Sequence, residues 1–199
     1  MPLARRRITD SGSLKALAHP LRLALLELLV TDGPKTATQA AAALADSPSN
    51  CSWHLRKLAE HGFVRETTGT GGRSRPWRAV TEGLTWGGDT ETDITDAETS
   101  AAGDGLADVL LERELQRYRA ARSQRARETP SWRNATGLHH SQQWLTAAEA
   151  EAVTEQIVEL FAAGSGRLQD PAHRPDGARL VSMVSWLVPA GPLGPPDNP

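Results

Sequence analysis

The segment from Pro48 to Gly62, PSNCSWHLRKLAEHG, constrains the fold more than any other stretch of this chain. Cys51, Leu55 and Leu58 recur at i, i+4 and i+7, a spacing that places them on one face of an α-helix. At about 100° per residue, Ser49, Trp53, Arg56 and Glu60 point the opposite way, flanked by Ser52 and Lys57. Ser47 stands where a side chain would cap the helix. Pro48 falls at the first helical position, where its missing N–H costs nothing, and Gly62 ends the run. The outward face is therefore polar, aromatic and basic, while the inward face needs other helices to cover it.

Those helices are legible on either side. SLKALAHPLRLALLELLVTDG reads as a helix pair, with Leu14, Leu17 and Ala18 on one face of the first. Pro20 fits the first turn of the second, where Leu21, Leu25, Leu28 and Leu29 recur until Gly33-Pro34 stops it. TATQAAAALADS is a short alanine-rich helix opened by Thr36 or Thr38 and ended near Asp46. After Gly62, FVRETT alternates as a strand, TGTGGRS is a Gly-rich loop, and RPWRAV is a second strand. Together they form a hairpin carrying Arg73 and Arg75. Helix, helix, turn, helix, hairpin is the order of a winged helix-turn-helix. The expected fold class is mainly α with a small β-hairpin wing, followed by a helical C-terminal region.

The C-terminal half is less patterned. Residues 81–104 are rich in Gly, Thr, Asp and Glu and read as an acidic linker, with a third strand placed around Leu84–Trp86. A helix is expected from Leu106 to about Arg127. It is apolar on two sides, Leu106, Val109 and Leu110 on one and Leu111, Leu115 and Tyr118 on the other. Two apolar sides imply two partners, an internal contact and a subunit interface. Pro130–His140 reads as a loop. Thr146 and Glu149 then form a capping box before a helix bearing Val153, Ile157, Leu160 and Phe161 and ending at Gly164. RLVSMVSWLVP is β-like, and GPLGPPDNP reads as a disordered tail. The expected division is a winged helix-turn-helix domain over 1–81, the linker over 82–104, a helical dimerisation or ligand-sensing region over 105–190, and the tail over 191–199.

Charge separates the two halves. Residues 1–80 carry 12 Lys+Arg against 6 Asp+Glu, whereas residues 81–199 carry 10 against 18. A basic half joined to an acidic one fits a chain of which one part meets a polyanion. A single cysteine, Cys51, excludes an intramolecular disulfide and fits a reducing cytoplasm, the expected location. No run of apolar residues is long enough for a membrane span, and no export signal is read at the N-terminus. His139, His140 and His173 sit in loops without metal-ligand spacing. The TGTGGRS loop lacks the lysine and spacing of a phosphate-binding loop. No nucleophile–base pair or carboxylate constellation stands out, so neither an enzyme nor a cofactor is expected.

The features LKALAHPLRLALLELL, SPSNCSWHLRKLAEHGFV and GRSRPWRAV, taken together, resemble the ArsR-like family of winged helix-turn-helix regulators. The likeness covers about 40% of the chain strongly. The remainder looks more loosely like the helical tail of actinobacterial members. The resemblance implies a homodimer that binds a pseudo-palindromic operator in double-stranded DNA, usually as a repressor. Many relatives sense metal or arsenic through paired cysteines. With Cys51 alone this chain has no such pair, so no metal is expected and a small-molecule effector is left open.

On this reading Ser49, Asn50, Ser52, Trp53, Arg56 and Lys57 form the DNA-contacting set. Serine and asparagine offer hydrogen bonds to base edges, and arginine can pair bidentately with guanine. Arg73 and Arg75 would hold phosphate from the wing. Arg5, Arg6 and Arg7 read equally as a basic arm or a free terminus. Cys51 and His54 read as packing residues. The rival reading is a winged-helix protein–protein interaction module that does not bind DNA.

Overall fold

The computed structural model describes residues 5–67, 75–80, 83–85, 97–164, 166–169 and 171–191. Two compact units divide the chain. One comprises residues 1–116 and 165–178, the other residues 117–164 and 179–199.

The first unit opens with strand β1 (Arg5–Arg7) and helices α1 (Ser11–Leu17) and α2 (Pro20–Thr31). Asp10 caps α1 by accepting the Ser13 N–H at 2.7 Å. Pro20 sits in the first turn of α2, as its sequence position requires, and the His19 ring accepts the Leu21 N–H at 3.2 Å. Helix α3 (Ala37–Leu44) starts from a capping box in which Thr36, not Thr38, is the cap and Gln39 answers it. Ala45 then takes a left-handed conformation, φ 54°, and Ser47 caps α4 (Pro48–Glu60) by accepting the Asn50 N–H. That sharp turn sets α3 and α4 against one another as a helix-turn-helix.

The wing follows as the hairpin β2 (Val64–Glu66) and β3 (Trp77–Ala79), antiparallel, with Val64 opposite Ala79 and Glu66 opposite Trp77. A single bridge from Lys35 to Trp77 ties the α2–α3 connection to this hairpin. The third strand, β4 (Gly83–Thr85), lies where it was expected, but it does not extend the wing. It pairs in parallel with β1, so Arg5–Arg7 form a strand and are not a free terminus. Arg6 turns back onto the domain, donating to the His61 carbonyl at 2.6 Å and lying 4.5 Å over the Phe63 ring.

The core of this unit gathers Leu14 and Leu17 from α1 with Leu23, Leu25, Leu26, Leu29 and Val30 from α2. Cys51, Leu55 and Leu58 of α4, with Phe63 and Val64, complete it. The buried stripe of α2 is rotated from the expected one. Leu21 and Leu28 sit at its margin, while Leu23, Ala24 and Leu26 are buried, because α1, α3 and α4 cover α2 from more than one side.

Helix α5 (Ala97–Gln124) begins inside the segment read as linker. Its first turns bury Thr99, Ala102 and Leu106, a stripe of mostly small residues that carries little hydropathy signal. Val109 packs against the core as expected, and an Arg113–Glu27 ion pair at 2.6 Å joins α5 to α2. Leu111, Leu115 and Tyr118 remain exposed.

In the second unit, α5 runs into a 3-10 turn at Arg125–Arg127, and the expected Pro130–His140 loop contains helix α6 (Pro130–Ala135), capped by Thr129. Helix α7 (Ala147–Ala162) has the Thr146–Glu149 capping box read from the sequence. RLVSMVSWLVP forms no strand, because no other strand lies alongside it among the described residues. Two short turns of the first unit, α8 (Gly166–Gln169) and a 3-10 turn at Pro171–His173, were not anticipated. Most of the tail, residues 192–199, lies outside the described residues.

Candidate nucleic-acid interface

Helix α4 faces two ways. Its inner side is closed: Cys51, Leu55 and Leu58 are fully buried. Cys51 is a free thiol whose pKa is pushed up by burial and by the Asp46 carboxylate, so it stays protonated and inert. His54 is buried as well, its ring tilted 4.4 Å from that of His19 and in a T-shaped contact with Trp53 at 4.7 Å. Its Nδ1 has no hydrogen-bond partner. Burial first, then the nearby His19 and Arg22, hold the His54 pKa down, and burial with Arg22 does the same to His19.

The outer side carries the predicted contact set. Ser49, Asn50, Trp53 and Arg56 are exposed, and Ser52 and Lys57 are half-buried beside them. Trp53 is 49% exposed, so it stands on the open face and is not buried against a neighbouring helix. The Lys57 ammonium lies 5.9 Å over the Trp53 ring and pairs with Glu60 at 2.8 Å. Arg56 folds along its own helix, its Nη2 donating to Ser52 Oγ at 3.1 Å. Asn50 Nδ2 donates to Asp46 Oδ1 at 3.0 Å, and Ser49 Oγ lies 3.2 Å from Ser47 Oγ. All are surface hydrogen bonds within one or two helical turns, readily exchanged for base or phosphate atoms because each contributes little net stability in water.

Arg75 stands exposed on the wing, 3.6 Å from Glu66. Arg73 falls outside the described residues. A polar cleft of about 210 Å³ lies between wing and helices, lined by Thr36, Thr38, Ser52, Arg56, Glu66 and Arg75 with Ala37 and Trp77. It brings Arg56 and Arg75 together with the N-terminus of α3, whose free N–H groups and dipole favour an anion. Thr36 and Thr38 were not among the sequence-read contacts. The capping box pointed to a helix start there, but only the fold turns that start toward Arg56.

The sequence from residue 17 to residue 67 matches the family model described as a helix-turn-helix domain. That span runs from the end of α1 to the first strand of the wing, and the hairpin follows directly. Residues 17–67 are thus a helix-turn-helix domain, which the hairpin completes as a winged helix-turn-helix fold. Among solved structures it is similar to a possible transcriptional regulator for arsenical resistance, at 31% identity over 55% of this chain and 94% of that one, TM-score 0.32. It is also similar to the adhesin competence repressor of Streptococcus pyogenes, at 15% identity over 73% and 79% of the two chains, TM-score 0.32. Lactococcus lactis ZitR in complex with DNA is 16% identical over 74% of each chain, TM-score 0.27. The assignment rests on the domain match and on the order of elements, not on these superpositions. No curated protein matches the chain. Within this winged helix-turn-helix, α4 is the second helix of the helix-turn-helix, directly before the wing. Among the described residues no cluster of three His, Cys, Asp or Glu side chains could hold a metal, and no helix is long and apolar enough to cross a membrane.

Proposed function

We propose that the chain is a sequence-specific transcriptional regulator, acting as a repressor in the cytoplasm, that binds a pseudo-palindromic DNA operator as a homodimer. One observation carries this reading: the exposed face of α4 gathers Ser49, Asn50, Ser52, Trp53, Arg56 and Lys57 while its opposite face is sealed in the core. A helix of this width enters the major groove, where such side chains meet base edges. The cleft of Thr36, Arg56 and Arg75 is suited to a backbone phosphate alongside, which would fix register without reading sequence. Two copies would place their α4 helices about 34 Å apart, one turn of duplex. The exposed Leu111, Leu115 and Tyr118 of α5 offer a surface for the second copy.

Selection of bound duplexes from a random-sequence pool tests this. Enrichment of a two-fold-related motif with half-sites one turn apart, bound in excess competitor DNA, is the expected result. No enrichment, with no duplex bound even at low salt, would refute DNA binding and leave the protein-interaction module as the better reading.

A further inference from the structure

The outer face of α4 offers hydrogen-bonding groups everywhere except at its centre. Ser49, Asn50, Arg56 and Lys57 stand three or four positions from Trp53, the spacing that makes side chains neighbours on a helix. Among the described residues of α4, Trp53 is the one large apolar side chain that is exposed. Singly exposed apolar groups are common on protein surfaces. This one differs in being held in place.

Its ring meets that of His54 at 87°, with centroids 4.7 Å apart. His54 is buried and lies 4.4 Å from the ring of His19, which caps α2. The indole is thus propped on the domain through two further rings, and the Lys57 ammonium lies 5.9 Å from its centroid. A tryptophan has few side-chain torsions to fix. Braced in this way, it projects from its helix and meets a partner at little further entropic cost.

That partner must be apolar and must sit among hydrogen-bonding groups. In the major groove one group answers the description. The base edges present ring nitrogens, carbonyls and amino groups, and thymine alone adds a 5-methyl. Against any other base edge the indole would cover donors or acceptors without pairing them, which costs free energy. The flat faces of the bases are closed to it, because in a duplex they are stacked on one another.

We infer that Trp53 is a specificity-determining residue that reads the 5-methyl group of a thymine in the bound site, while the side chains around it meet polar edges and phosphates. The inference rests on the DNA-binding reading above and names the base group that the centre of α4 selects.

Uracil tests it, since it keeps every hydrogen-bonding group of thymine and lacks only the methyl. A duplex selected from an unmodified random pool is rebuilt with one thymine at a time replaced by deoxyuridine. Each duplex is titrated with the full chain as wild type, Trp53→Ala and Trp53→Gln, at a salt concentration low enough for the variants to bind. At one thymine position the wild type should lose affinity about fourfold, the contribution of one buried methyl, while both variants bind the thymine and uracil duplexes equally. A second selection with Trp53→Ala should enrich the same motif with that position no longer fixed. A wild type indifferent to every uracil overturns the inference and leaves the DNA reading standing. A loss of the same size in the variants also overturns it, because another group then reads the methyl or the duplex shape. A wild type that binds no duplex overturns the DNA reading and the inference with it. The wild-type titrations change only the DNA, and unchanged melting temperatures show that the variants fold.

Discussion

His54 is the residue at which stability meets the proposed DNA-contacting face. It lies on α4, one position from Trp53, with its ring sealed and its Nδ1 unpartnered. Because its pKa is held below the ordinary histidine value of 6.5, the folded chain keeps this ring neutral where the unfolded chain accepts a proton. Between 6.5 and the lower folded value, stability therefore falls as pH falls. The melting temperature should drop on acidification from about pH 8 to pH 5, and His54→Phe should flatten that slope. An unchanged slope would show that the ring is not protected. On the outer face, Arg56→Ala should weaken specific binding by about 1–3 kcal/mol, and Arg75→Ala should lower affinity for all duplexes alike while reducing the salt dependence. Which residues of α4 face outward was readable from the helical period of residues 48–61. The use of Asn50 and Ser49 in local caps was not, since the same hydrogen-bonding groups serve a helix start and a base edge equally well.

Among the elements, the α3–α4 turn is the one whose geometry depends on a single strained residue. Ala45 adopts φ 54°, a region that costs an L-residue free energy and glycine almost none. Ala45→Gly should stabilise the first unit by about 1 kcal/mol, seen as a raised denaturation midpoint with unchanged slope. Thr36→Ala, which removes the capping box of α3, should destabilise it by about 1 kcal/mol. The first four helices and the hairpin could be read from period, caps and breakers because those signals are local. The pairing of β1 with β4 could not, because a parallel contact between residues 5–7 and 83–85 leaves no local mark. The early start of α5 escaped for a different reason. Thr99 and Ala102 are buried for their small size, which hydropathy does not register.

At the scale of the whole molecule, the separation of charge has a structural counterpart. The basic half contains the helix-turn-helix with its sealed core, and the acidic α7 belongs to a unit in which no described side chain is buried. Such a chain, as the homodimer proposed above, is expected to melt with a midpoint that rises with protein concentration. A single concentration-independent transition would contradict this. The central claim is that the exposed face of α4 reads DNA. Fluorescence anisotropy tests it most directly, on a selected operator duplex in excess competitor, comparing wild type with Arg56→Ala. Tight binding by the wild type and a tenfold or greater loss in the variant, with its melting temperature unchanged, is the predicted result. Equal binding by both proteins would contradict the account.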